Sequence, residues 1–194
     1  MKFLSAVFLA TLLCAGFANA TITPILDSGN PTADGGNFLW TYNIDLSTDE
    51  QLAPSNSFFT IYDFVGYVGG TVAVTGPASA DWTASVQLVG PTPTLTNPPD
   101  SASIENLVFT YIGPVSVGPQ NFDGFSAVST DSTINTGGFF SYQAQKTSNT
   151  TTPDQGLGPI DVPATATPEP ASVGLLGGAL LGLAVLSRRK FARQ

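Results

Sequence analysis

Across residues 37–47 the chain alternates: Phe38, Trp40, Tyr42, Ile44 and Leu46 are apolar or aromatic, while Leu39, Thr41, Asn43, Asp45 and Ser47 are mostly polar. A period of two places each set on its own face of an extended chain, so this stretch specifies a half-buried strand. Weaker forms of the signal recur at 57–68, 71–75, 82–89, 106–112, 124–129 and 138–146. Between them fall Gly69-Gly70, Gly76-Pro77, Gly90-Pro91, Pro98-Pro99, Gly113-Pro114 and Gly118-Pro119. Such pairs stop strands and forbid long helices, because proline lacks the amide hydrogen and glycine weakens an extended segment. The best helical candidate in the body is one turn at 48–52, with Ser47 as cap and Glu50 three residues on. The array predicts an all-β fold, an antiparallel β-sandwich or a related barrel, with strand order left open.

Both ends read differently. Met1 and Lys2 precede an almost wholly apolar stretch, and Ala18-Asn19-Ala20 supplies the small residues of a signal-peptidase site, so 1–20 reads as a secretory signal peptide cut after Ala20. A lipoprotein reading of Cys14 fits poorly, because Leu13 stands where a small residue is wanted; Cys14 is one more apolar residue of the leader. It is also the only cysteine, so the mature chain can form no disulfide.

The body, expected over 21–146, is followed at 147–167 by a Thr/Pro-rich stretch that reads as a hydrated linker, with a possible last short strand at 156–162. Its Thr147 to Thr152 cluster is a candidate for hydroxyl glycosylation. Between residues 21 and 167 there are thirteen acids and one lysine, Lys146, a net charge of −12. A surface this acidic repels phosphate backbones and anionic headgroups, which excludes nucleic acid as a partner of the body.

Absences narrow the chemistry further. With no histidine, and no cysteine once the leader is gone, the mature chain has no Ser-His-Asp or Cys-His nucleophile, no common zinc site and no haem or iron–sulfur ligand set. A two-carboxylate glycosidase needs only acids, yet nothing in their order nominates a pair, so no enzyme and no cofactor is expected. Calcium is the one metal to weigh, through Asp27, Asn30 and Asp34 or through Asp45, Asp49 and Glu50. Pro31 and Glu50 break the EF-hand template, which leaves Asp27, Asp34 and Asp49 as weak ligands beside their plainer reading as turn residues. Trp40, Trp82 and the five tyrosines offer a stacking platform for a glycan, although both tryptophans sit in strand patterns that favour the core. Asp63, inside an apolar strand pattern, is expected to point outward at an edge, or else to pair with Lys146 or a cation.

The C-terminal segment, 168–194, has three parts: Pro168-Glu169-Pro170, an uncharged apolar run at 171–186, and a basic end at 187–194 with Arg188, Arg189, Lys190 and Arg193. As a helix the run covers about 24 Å of a hydrocarbon core roughly 30 Å thick, so it spans with help from snorkelling side chains and local thinning. The basic cluster stays on the cytoplasmic side, which places the body outside. Gly174, Gly178 and Gly182 recur every fourth residue and form a narrow strip where another helix can approach.

Together the three parts resemble the PEP-CTERM sorting signal of bacteria that secrete exopolysaccharide. The resemblance covers only this tail. It implies an exosortase-like membrane enzyme that recognises and removes the tail, after the body has crossed the inner membrane behind its signal peptide. The whole then reads as an exported structural or adhesive envelope protein associated with exopolysaccharide. A carbohydrate-binding matrix module and a permanently anchored surface protein are the alternatives.

Overall fold

The structure, a computed structural model, describes residues 22–165. The signal-peptidase site at Ala18 and Ala20 and the whole tail, from Pro168 to Gln194, lie outside the described residues. Twelve strands follow in order: β1 (Ile22–Leu26), β2 (Thr32–Asp34), β3 (Asn37–Leu46), β4 (Glu50–Leu52), β5 (Phe58–Ile61), β6 (Ala73–Val74), β7 (Trp82–Gln87), β8 (Asn106–Tyr111), β9 (Ser116–Val117), β10 (Gln120–Ser129), β11 (Thr133–Lys146) and β12 (Asn149–Ala164). The helical content of this span is a five-residue 3-10 turn, Gly76–Ala80.

Every ladder between these strands is antiparallel, and they form two sheets. The first runs β1-β3-β10-β6, with β2 also paired to β3; the second runs β7-β8-β5-β11-β4-β9, with β12 on the other side of β11. Alternation in β3 works as the sequence indicates: Trp40, Tyr42, Ile44 and Leu46 are buried. They face Phe59, Ile61, Phe109 and Tyr142 of the second sheet in one apolar cluster. Phe125 of β10 meets Phe59, Trp82 and Phe109 edge-on at 5.2 to 5.4 Å between ring centres, which locks the two sheets together. This is the antiparallel all-β sandwich that the strand array predicts.

Three local expectations need correction. Residues 149–164, placed in the expected linker, are not a solvated spacer. Asn149–Ala164 is the longest strand of the fold, paired with β11 from Thr133↔Ala164 to Lys146↔Asn149. Its composition hides this for a physical reason. Gly156 and Gly158 lie opposite Tyr142 and Phe140, and a Cβ added to either glycine would come within 2.4 or 2.6 Å of the ring it faces. The aromatic rings lie over bare backbone and supply the burial that the glycines lack. As an outer strand, β12 also accommodates Pro153, Pro159 and Pro163, which an inner strand would not.

The second correction concerns 48–52, which turns through Ser47, whose carbonyl accepts from Glu50 N at 3.2 Å, and then continues as β4 rather than as helix. The third is Asp63. β5 ends at Ile61, and Asp63 adopts φ 53°, a left-handed conformation that aspartate tolerates. Its carboxylate accepts from Ser101 N at 3.0 Å, and its own N–H donates to Asn106 Oδ1 at 2.8 Å. Asp63 thereby ties down the long 88–105 connection, while Lys146 pairs elsewhere.

Candidate functional site

Lys146 ends β11 and Asp154 lies on β12, two rungs away across the hairpin. Their side chains form an ion pair at 3.7 Å between Nζ and Oδ1. The Tyr142 hydroxyl donates to the other oxygen of Asp154 at 3.3 Å. Beside them comes Glu50, brought in by the pairing of β4 with β11, Lys146↔Glu50. Glu50 is wholly buried, and as a carboxylate neither of its oxygens finds a hydrogen-bond partner.

Burial first, then the hydrogen bond and charge of Asp154, push the Glu50 carboxyl up to about 8, with Lys146 pulling weakly the other way. Glu50 is therefore a neutral acid at neutral pH and can donate its proton to Asp154. Burial, followed by the charges of Asp154 and Glu50, also holds the Tyr142 phenol well above its ordinary value. Sequence reasoning missed this group, since Glu50 read as a capping residue. The available signal was that the one lysine of the body needs a partner, which strand pairing alone selects.

A cleft of about 510 Å³ opens beside this cluster, between Thr23 of β1 and Tyr142, Asp154 and Leu157 of the hairpin. Asp154 lines it, whereas Glu50 is sealed behind. Two acids do converge, but an incoming substrate meets one of them only, which does not give the two-sided arrangement that glycoside hydrolysis needs.

The other sequence candidates are placed as follows. Asp27 Oδ1 accepts from Ser28 N at 2.8 Å and from Asn43 Nδ2 at 3.1 Å. Asp34 ends β2, paired with Asn37. Asp49 sits in the turn before β4, where its carbonyl accepts from Thr147 N at 2.9 Å. Among the described residues, no group of three or more His, Cys, Asp or Glu is placed to hold a metal ion. Trp40 and Trp82 are both buried, so neither offers a face to a glycan; Trp40 Nε1 donates to the carbonyl of Asp131 at 3.1 Å.

β12 ends at Ala164, and three residues, Thr165, Ala166 and Thr167, separate it from Pro168. Described residues contain no helix long and apolar enough to cross a membrane, and the 171–186 run lies outside them. The described body is thus an all-β domain whose last strand ends four positions before Pro168 in the sequence. The tail is identified by its own match: residues 166–190 fit the family model of the PEP-CTERM protein-sorting motif. The chain is thereby marked for export and for sorting by an exosortase-like membrane enzyme to the cell envelope. No curated protein and no solved structure matches the chain.

Proposed function

We propose that this protein is a structural or adhesive component of the cell surface, delivered to the envelope or its exopolysaccharide matrix by sorting through the tail. On this reading the body crosses the inner membrane behind 1–20 and pauses on the 171–186 helix with its basic end in the cytoplasm. The enzyme then cuts near Pro168, Glu169 and Pro170. The strip of Gly174, Gly178 and Gly182 is where the tail helix docks against that enzyme. The observation that carries the reading is the sorting-motif match, which begins two residues after the last strand.

The test is the intact mass of the protein recovered from the cell surface. Wild type is expected to lack both leader and tail. Replacing Pro168, Glu169 and Pro170 with alanine is expected to leave the tail attached and the protein in the membrane fraction. A wild-type protein that keeps Arg193 and Gln194 would instead be permanently anchored.

A second reading, a glycan-binding module, is favoured by the cleft beside Tyr142, whose volume of about 510 Å³ lies in the range of small-ligand sites. If it holds, oligosaccharides of the surrounding matrix bind the isolated body, and Thr23→Trp, which fills the cleft, abolishes binding without lowering thermal stability. Equal binding by wild type and variant removes this reading.

A further inference from the structure

Lys146 is the one lysine between residues 21 and 167, and it faces a carboxylate at 3.7 Å beside a wholly buried acid, Glu50. An ion pair needs only the first two groups. The third is costly to bury, and its presence demands a reason. Amide formation between an amine and a carboxyl supplies one, because it requires a neutral amine, a carboxyl carbon within reach and a proton donor for the departing oxygen. We propose that Lys146 and Asp154 condense to an intramolecular amide, with Glu50 as the proton-transferring catalytic residue, so that β11 and β12 become covalently joined.

The step balances without any further reactant. The Lys146 ammonium passes one proton across the ion pair to the Asp154 carboxylate, giving a neutral amine and a neutral acid. Lys146 Nζ then attacks Asp154 Cγ and forms the new C–N bond. The C–O bond to the Asp154 hydroxyl breaks, and the hydroxyl leaves as water with the proton that Glu50 donates. Glu50 recovers a proton from the nitrogen and ends as it began. No group is oxidised or reduced, and the net products are one amide and one water.

The surroundings suit each part. Glu50 is held as the acid by its burial, which is what a proton donor to a leaving group requires. Tyr142 donates to Asp154 Oδ2 at 3.3 Å and draws electron density from the carbon under attack. Lys146 and Asp154 are 43 % and 20 % exposed, and Asp154 lines the cleft, so the released water has an exit. The link also fits a chain that can have no disulfide, because it ties the two strands of the hairpin together near its turn.

The mature, exported protein is measured intact and after denaturation and trypsin treatment. Lys146 is the only trypsin site between residues 21 and 167, and an acylated lysine is not cleaved. Wild type is expected to weigh one water less than its sequence and to stay in one piece. Asp154→Ala and Glu50→Gln are each expected to show full sequence mass and to be cut in two at Lys146. Wild type at full mass, cleaved at Lys146, overturns the proposal; this wild-type arm decides it even if a variant fails to fold. A water-deficient, trypsin-resistant Glu50→Gln protein overturns the role given to Glu50.

Discussion

Raising the pH from about 5 to about 9 is expected to destabilise the folded body, and Glu50→Gln is expected to remove most of that loss. Glu50 titrates near 4.5 when unconstrained and near 8 in the fold, chiefly because it is buried. Below its unfolded value it is protonated in both states, and its contribution to stability is fully present. As pH rises between the two values, the unfolded chain gives up the proton while the fold keeps it. Each pH unit in this window then costs up to about 1.4 kcal/mol. Above the folded value the loss is complete, with a charge forced into the core.

The window is unusually clean because the chain has no histidine. The α-amino group titrates there too, but it is shared by both proteins and cancels in the comparison. Because burial is the largest cause, the direction holds whether Asp154 is a free carboxylate or an amide. Urea unfolding midpoints across the range make the measurement; parallel slopes for wild type and Glu50→Gln would show that Glu50 is already ionised in the fold.

What could be read from the chain without coordinates followed from local patterns. β3 was legible because Trp40, Tyr42, Ile44 and Leu46 alternate with polar residues and because one face of an antiparallel sheet looks to solvent. The glycine and proline pairs marked most of the connections for equally local reasons. β12 was hidden because its burial is borrowed: Gly156 and Gly158 have no side chains to announce a strand, and Tyr142 and Phe140, which cover them, lie far along the sequence on β11.

Glu50 was hidden for a related reason. In β4 it alternates with Leu52, both buried, yet the strand is three residues long and carries no periodicity of its own. Asp63 misled because an apolar run implied a continuous strand, whereas the backbone turns left-handed there to meet Ser101 and Asn106. The sorting motif was legible because its signal is carried by contiguous residues and needs no tertiary partner.

Trp82→Ala is expected to cost about 3–5 kcal/mol. Trp82 sits on β7, and its ring meets Phe59 at 5.7 Å and Tyr111 at 5.1 Å within its own sheet. Across the core it meets Phe122 at 5.9 Å and Phe125 at 5.2 Å on β10 of the other sheet. Removing it therefore empties a volume walled by rigid rings from both layers, which cannot close the gap by small shifts. With total stabilities of about 5–15 kcal/mol for ordinary domains, and no disulfide to compensate, most molecules of the variant are expected to be close to unfolding at 37 °C. Trp82→Phe is expected to cost far less than its lost volume suggests. The indole N–H is buried without an acceptor, and phenylalanine removes that unpaired donor along with part of the ring. Thermal unfolding of the two variants separates this role from glycan stacking. A platform tryptophan would lose ligand in both variants at unchanged melting temperature, whereas a core tryptophan lowers the melting temperature steeply in Trp82→Ala and mildly in Trp82→Phe.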